Sequence, residues 1–165
     1  MALLDSPVEY GSLRATPFHL LDEEELREVL AWRNDDRIRP WMDNPKRIGL
    51  EEHYAFVEKL RASSEKAYFR VTRERAPIGV VSLTDVDQTN QTAQLGIYKS
   101  PFYAGGQIGP DLMTMLEVIA LKVGIQRLVL RVRKGNEKAI HLYERTGYHA
   151  LRETEEHLIM EKKLS

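Results

Sequence analysis

Hydrophobic spacing in the first third of the chain predicts one strand followed by two helices. The strand covers residues 13–20, and Asp22 and Glu25 after it form a capping box that starts a helix. Apolar residues at helical spacing continue this helix to the polar run 34–36. A second helix covers residues 50–60, with His53 on its apolar face. Residues 1–11 lack such a pattern and are predicted to form a loose tail.

Strand-like runs alternate with two further helices over the rest of the chain. Short polar connections between the first three runs favour an antiparallel meander. The helix that starts near Ile108 is apolar around much of its circumference, which predicts a central, buried helix. The predicted strands cover residues 67–72, 78–86, 93–98, 127–132, 148–152 and 157–161, and the last helix covers residues 137–145. The order β-α-α-β-β-β-α-β-α-β-β predicts an α/β fold of the α+β type.

The composition fits a single domain with little net charge. The 165 residues include 24 Lys plus Arg and 25 Asp plus Glu, so the net charge of −1 gives no reason to expect nucleic acid or a membrane as partner. The absence of Cys excludes disulfides, thiolate metal sites and a Cys nucleophile, and no spacing of His and carboxylates predicts a metal. No signal-like or membrane-spanning run is recognisable, so we expect a cytoplasmic protein.

A glycine-rich segment joins the meander to the helix at Ile108. It contains Gly105, Gly106 and Gly109, with Pro110 at an early helical position. Glycines let a ligand approach the backbone, and the first N–H groups of a helix lack intrahelical partners. The segment can therefore bind a phosphate, and the alternative is a plain strand-to-helix connection.

A second candidate lies about thirty residues later, at the start of the last helix. Asn136 is a good N-cap residue for this helix. Tyr143 lies seven residues further on, two turns along the helix and on the same face. Its phenol can carry chemistry, or the side chain can simply pack in the core.

The run from Asn136 to Tyr148 resembles the C-terminal motif of the GNAT superfamily of N-acetyltransferases, and the glycine-rich segment resembles that family's acetyl-CoA motif. The resemblance implies a mixed, mostly antiparallel twisted sheet of about seven strands, splayed at its centre to hold acetyl-CoA as cosubstrate. Two positions depart from the family's pattern, because Ala104 stands in place of Gln or Arg and Gln107 in place of Gly. The implied acetyl-CoA-binding residues are Leu95, Gly96, Ile97, Tyr98, Gly105, Gly106, Gln107, Ile108, Gly109, Asn136 and Tyr143.

The N-terminal half resembles the N-acetyltransferases of pseudaminic acid biosynthesis through its Trp-Arg-Asn, Ile-Arg and Glu-Glu-His runs at 32–34, 38–39 and 51–53. Those enzymes acetylate a UDP-linked 4-amino-4,6-dideoxy sugar on the way to flagellin glycosylation. A nucleotide-linked amino sugar is therefore the implied acceptor, and the implied substrate-binding residues are Arg33, Arg39, His53, Thr84 and Tyr98. Both arginines can bind a diphosphate, although a solvated loop explains them as well, and His53 can be a core residue.

The expected reaction is direct attack of a neutral amine on the acetyl thioester, with Tyr143 as the catalytic acid that protonates the CoA thiolate. The base is open, because Gln94 stands where many relatives carry Glu, and water or His53 remains. Two other functions fit the same motifs: an N-terminal (ribosomal) protein N-acetyltransferase and a non-catalytic acetyl-CoA-binding module. An exposed edge strand would also allow a homodimer.

Overall fold

The computed structural model describes residues 1–164, which contain eight strands and four α-helices. The strands are β1 (Val8–Tyr10), β2 (Leu13–Pro17), β3 (Ala67–Arg73), β4 (Ala76–Asp87), β5 (Thr92–Lys99), β6 (Arg127–Arg133), β7 (His149–Glu153) and β8 (His157–Lys163). The helices are α1 (Glu23–Asn34), α2 (Leu50–Leu60), α3 (Ile108–Lys122) and α4 (Glu137–Arg145), with short 3₁₀ turns at Phe18–Leu20 and Arg39–Trp41.

All eight strands belong to one sheet in the order β1-β2-β3-β4-β5-β6-β8-β7. Every neighbouring pair is antiparallel except β5 and β6, which run parallel. The predicted mixed, mostly antiparallel sheet is therefore confirmed, with eight strands instead of about seven. The parallel connection requires a crossover, which α3 supplies between β5 and β6.

The extra strand lies in the segment predicted to be a loose tail. Val8–Tyr10 pairs with Leu13–Ala15 across a tight turn, in which Gly11 adopts a φ of +61°. Val8 is buried in the core at 4% exposure. The tail prediction is therefore wrong for these three residues, because a three-residue strand is too short to give a readable alternation.

Helices cover both faces of the sheet. Adjacent residues of β4 show the division, since Val81 packs in the cluster around α3 whereas Val80 packs in the cluster with α1 and α2. The prediction that α3 is central and buried is confirmed by Leu112, Met115, Leu116 and Ile119, all of them fully buried. Any ligand that reaches from one face to the other must therefore pass through an opening in the sheet.

Local capping fixes the starts of α1 and α4, which carry Arg33 and Tyr143. At α1, the Asp22 carboxylate accepts from the Glu25 N–H at 2.8 Å, and the Asp22 N–H donates back to Glu25 at 3.0 Å. This confirms the predicted capping box. At α4, the Asn136 side chain accepts from the Ala139 N–H at 3.4 Å, as expected for an N-cap.

Candidate active site

An opening in the sheet lies between β5 and β6. The two strands pair over three residues only, ending at Gln94 and Val129. Beyond this point Leu95–Lys99 continues to pair with β4 on its other side, while residues 130–133 continue to pair with β8. The edge of β5 that faces the opening thus offers backbone donors and acceptors to an extended ligand.

The predicted acetyl-CoA segment forms the start of α3 beside this opening. Gln107, directly before the helix, has φ +62° and ψ 21°, a left-handed conformation that favours glycine. The glycine that the family pattern has at this position is therefore explained by backbone conformation, and the chain keeps that conformation with a glutamine. The Asp111 N–H donates to the Gln107 carbonyl at 3.0 Å and Pro110 has no N–H, which leaves the N–H groups of Ile108 and Gly109 at the helix start available to an anion.

Three of the predicted glycines are also required by the protein's own packing. A Cβ on Gly96, Gly105 or Gly109 would lie within 3.0 Å of the Ser82 Oγ, the Tyr103 ring or the Leu142 Cδ2, respectively. A Cβ on Gly106 would meet nothing within 4 Å. The protein thus has room for a side chain at Gly106, and a requirement for glycine there would come only from a ligand that approaches the backbone.

Arg73 of β3 connects the glycine-rich segment to the sheet. Its Nη1 donates to the Gly106 carbonyl at 2.8 Å and to the Asp111 carboxylate at 2.6 Å, and its Nη2 contacts the Tyr103 hydroxyl at 3.1 Å. The guanidinium also lies 5.5 Å from the centre of the Tyr103 ring. Arg73 was not predicted from the sequence, because nothing near it in the chain indicates a contact 33 positions away.

Tyr143 lies on α4 and points into the core on the α3 side of the sheet. It is 7% exposed and belongs to the same apolar cluster as Leu95, Ile97 and Ile108. Its ring packs edge-on against Tyr148, with 6.1 Å between ring centres. Burial raises the pKa of the Tyr143 phenol, so the hydroxyl stays protonated at neutral pH. The structure therefore brings Tyr143 together with the predicted acetyl-CoA residues.

Arg33 lies on the opposite face, near Tyr98, and Arg39 lies close to Arg33. Burial lowers the pKa of Arg33, the positive charge of Arg39 lowers it further, and the Tyr98 and Tyr68 phenols oppose this shift. Arg33 Nη2 donates to the Asn44 carbonyl, and Arg39 Nη1 donates to the Pro45 carbonyl at 2.9 Å. Arg33 Nη1 and Arg39 Nε are buried and have no hydrogen-bond partner among residues 1–164.

The remaining predicted acceptor residues are placed differently. His53 is buried between α1 and α2, and its Nε2 bonds to the Leu26 carbonyl at 3.0 Å. Thr84 pairs with Gln94, whereas Tyr98 pairs with Val80, so the two lie four positions apart along β5, or about 13 Å. The structure thus joins Tyr98 to Arg33 and places Thr84 towards the other end of the strand.

Two polar residues near Tyr98, Tyr68 and Ser82, were not predicted from the sequence as site residues. Tyr68 and Ser82 face each other across β3 and β4, and Ser82 in turn faces Gly96 of β5. Burial raises the pKa of Tyr68, although the charge of Arg33 opposes this. Both residues share the sheet face of Tyr98, and only the strand register could have revealed this.

The described part of the chain gives no sign of a metal centre or a membrane span. No group of three or more His, Asp or Glu side chains in residues 1–164 is arranged to hold a metal ion. None of the helices described is long and apolar enough to cross a bilayer.

Comparison with known proteins agrees with this geometry. The model of the acetyltransferase (GNAT) family matches residues 26–148. Acetyltransferase PseH of Campylobacter jejuni is 30% identical over 132 residues, which cover 79% of this chain and 81% of the relative. Spermidine N(1)-acetyltransferase of Escherichia coli is 29% identical over 134 residues, covering 78% and 69%.

The fold is also similar to that of a solved relative. The crystal structure of Campylobacter jejuni PseH in complex with acetyl coenzyme A superposes with a TM-score of 0.78 at 26% identity, covering 93% of this chain and 99% of that one. The opening between β5 and β6 and the available amides at α3 fit such a cosubstrate. The chain therefore belongs to the acetyltransferase (GNAT) family and is an N-acetyltransferase that uses acetyl-CoA.

Proposed function

We propose that this chain transfers the acetyl group of acetyl-CoA to the 4-amino group of a UDP-linked amino-deoxy sugar. The main support is the basic wall beside Tyr98, where Arg33 Nη1 and Arg39 Nε are buried donors without partners. Guanidinium groups bind phosphate oxygens through strong, charge-assisted hydrogen bonds. A nucleotide diphosphate would satisfy these donors and neutralise the repulsion between the two arginines.

The same wall argues against a polyamine as acceptor. One relative is named as a spermidine acetyltransferase, so a polyamine is the natural competitor as substrate. A polyamine carries several positive charges, and the charge of Arg33 lies on the route to the opening. Repulsion between like charges in a partly buried site would weaken polyamine binding. An acceptor that carries phosphates would be attracted there.

In the proposed reaction, acetyl-CoA runs through the opening between β5 and β6. The pyrophosphate would bind the amides of Gly105, Gly106, Gln107, Ile108 and Gly109, and the thioester would lie along Leu95–Tyr98, with Asn136 and Tyr143 on α4 beside it. The amine nitrogen attacks the carbonyl carbon, and the bond from that carbon to sulfur breaks. Tyr143 gives its proton to the departing sulfur, and the resulting phenolate regains a proton from water after free CoA thiol has formed.

The amine must lose a proton during the same reaction. Water is the proposed acceptor, since Gln94 cannot serve as a base. The Nε2–H of His53 is directed to the Leu26 carbonyl, which leaves only Nδ1 for a proton. The N-acetylated product would place the chain in pseudaminic acid biosynthesis, the route to flagellin glycosylation.

Release of free CoA thiol by the purified protein tests the proposal. The acceptors are a UDP-linked 4-amino-4,6-dideoxy sugar, its methyl glycoside, spermidine and a short peptide with a free N-terminus. We expect kcat/KM to be highest for the UDP-linked sugar. Turnover mainly of the peptide would instead establish an N-terminal protein acetyltransferase. Acetyl-CoA binding without turnover of any acceptor would favour the non-catalytic module.

Arg33→Gln adds a residue-level test of the same proposal. We expect KM for the UDP-linked sugar to rise about tenfold or more, with KM for acetyl-CoA unchanged. Arg27→Gln is the matched control, because Arg27 lies on the same helix but is exposed and pairs with Glu23 at 3.2 Å. Equal KM values for Arg33→Gln and the wild type would remove Arg33 from the acceptor site.

A further inference from the structure

Four consecutive residues between α1 and α2 are each contacted by a basic side chain from elsewhere in the chain. We call this segment, Met42–Asp43–Asn44–Pro45, the 42–45 loop. Arg133 Nη2 donates to the Met42 carbonyl at 3.1 Å, Arg131 and His157 lie 3.6 and 3.7 Å from Asp43 Oδ1, Arg33 donates to the Asn44 carbonyl and Arg39 to the Pro45 carbonyl. Five basic side chains thus converge on a single loop.

The basic side chains come from both sides of the opening in the sheet. Arg33 lies beside Tyr98 of β5. Arg131 and Arg133 lie on β6 beyond Val129, where β6 has separated from β5, and His157 pairs with Arg133 in the next strand. The 42–45 loop therefore bridges the two walls of the opening on the acceptor face.

Each wall contains buried nitrogen atoms for which the described part of the chain supplies no hydrogen-bond partner. Arg133 Nε and His157 Nε2 are buried and make no hydrogen bond within residues 1–164, as is true of Arg33 Nη1 and Arg39 Nε, although Asp43 Oδ1 lies 3.7 Å from His157 Nε2. Asp43 Oδ1 lies 3.6 Å from Arg131 and 3.7 Å from His157, and because the Asp43 side chain is 58% exposed, solvent weakens its attraction to Arg131. Buried unpaired donors are few in native proteins, so a cluster of them calls for an external acceptor.

We propose that Arg133 and His157 form a second anion-binding wall for the acceptor, facing Arg33 and Arg39 across the opening. The ligand chemistry is a diphosphate, whose oxygens are numerous enough to meet donors from both walls. The identification of that diphosphate with the UDP group rests on the proposed function. The wall itself rests on four buried nitrogens that make no hydrogen bond within residues 1–164 and on the convergence of their side chains on the 42–45 loop.

Binding of two probes, UDP and inorganic pyrophosphate, tests the second wall. The full-length protein is first saturated with CoA, so that a phosphate cannot bind at the start of α3. Calorimetric titration should then give a Kd for each probe that is at least about tenfold weaker in Arg133→Gln and in His157→Gln than in the wild type. Lys134→Gln is the matched control, because exposed Lys134 pairs with Glu153 on the outer side.

Kinetics separate anion binding from mere support of the loop. Arg133→Gln should raise KM for the UDP-linked sugar without changing KM for its methyl glycoside, and Arg133→Lys should recover part of the loss. His157→Gln removes no hydrogen bond to the loop backbone, so it tests the wall even if Arg133→Gln folds poorly. Equal effects on both acceptors would overturn the inference and assign Arg133 a structural role.

The outcomes also separate this inference from the proposed function. If the two variants bind both probes as tightly as the wild type does, the second wall is overturned and the UDP-sugar proposal still stands. Pyrophosphate binding that the variants lose, without turnover of the UDP-linked sugar, would support the wall and contradict the proposed acceptor. No binding of either probe to the CoA-saturated wild type would overturn the wall.

Discussion

Tyr143 and Tyr148 are two buried phenols in contact on the α3 side of the sheet, and their surroundings differ. The Tyr148 hydroxyl contacts Glu117 at 3.4 Å, whereas Tyr143 lies among the apolar residues that line β5 and the start of α3. Burial raises the pKa of Tyr143, which keeps its proton in place until negative charge develops nearby. A buried neutral donor of this kind suits the protonation of a leaving thiolate.

We therefore expect Tyr143→Phe to lower kcat by about 10²-fold, with KM for acetyl-CoA nearly unchanged, because the hydroxyl acts only once charge appears on sulfur. Tyr148→Phe is the control, since it removes a neighbouring hydroxyl of the same type outside the reaction path. Thiol-release kinetics over a range of acetyl-CoA concentrations measure both constants. A kcat for Tyr143→Phe equal to that of Tyr148→Phe would exclude Tyr143 as the acid.

His53 makes the stability of the fold depend on pH. Burial lowers its pKa, although the bond to the Leu26 carbonyl opposes this. As the pH falls, His53 therefore binds a proton near pH 6.5 in the unfolded chain, whereas in the folded chain it binds the proton only at a lower pH. The stability contributed by neutral His53 is complete above the unfolded-state pKa and is lost as the pH falls towards the folded-state value.

Urea unfolding at pH 7, 6 and 5 measures this effect. Between pH 7 and 5 we expect the free energy of unfolding to fall less steeply for His53→Gln than for the wild type. The difference between the two slopes should correspond to at most about one proton bound on unfolding. His141→Gln, at an exposed position on α4, should keep the wild-type slope. A slope that is the same for all three proteins would mean that His53 does not resist protonation in the folded state.

At the scale of elements, the glycine-rich segment before α3 depends on a strand two places away in the sheet. Arg73 holds the Gly106 carbonyl and the Asp111 carboxylate together, and thereby fixes the backbone that leads into the helix. Its neighbour in the strand, Arg70, instead pairs with Glu25 and Glu28 of α1 on the other face. Two arginines of one strand thus serve the two sides of the site.

Arg73→Met should raise KM for acetyl-CoA by about tenfold, because a segment that samples several conformations binds its ligand less well. KM for the acceptor amine should change much less. Arg70→Met, which removes the same charge from the same strand, should leave KM for acetyl-CoA as it is. If both variants affect KM for acetyl-CoA equally, the cause is general destabilisation and not the contact with Gly106.

The elements that were predictable from the sequence depend on nearby residues. The start of α1 requires only Asp22 and Glu25, and that of α4 requires only Asn136. The proposed acceptor side was less predictable, because Arg133 contacts Met42 across 91 positions of sequence. The distance between Thr84 and Tyr98 likewise depends on the register of β4 and β5, which no local pattern specifies.

At the scale of the whole molecule, the sheet opens between β5 and β6, where the proposed acetyl-CoA site lies. Its two halves, β1 to β5 and β6 to β8, are joined by strand pairing over Thr92–Gln94 and Arg127–Val129, and by hydrogen bonds from the Gln126 and Arg127 N–H groups to the Gln91 carbonyl. The 42–45 loop makes a second connection, from Arg33 on one side to Arg133 on the other. Acetyl-CoA bound in the opening would contact both halves and connect them over the residues that the strands leave unpaired.

Acetyl-CoA should therefore stabilise the fold. A ligand that binds only the folded state at 100 times its Kd adds about 2.7 kcal/mol, which for a chain of this size corresponds to a Tm increase of roughly 5–10 °C. Hydrogen exchange should slow most at the facing edges of β5 and β6, where the protein supplies no partner strand.

Differential scanning fluorimetry at increasing acetyl-CoA concentration measures the Tm, and Arg70→Met should show the full increase. Arg73→Met should need about tenfold more acetyl-CoA to reach it, and a Tm that does not change up to millimolar acetyl-CoA would contradict binding in the opening.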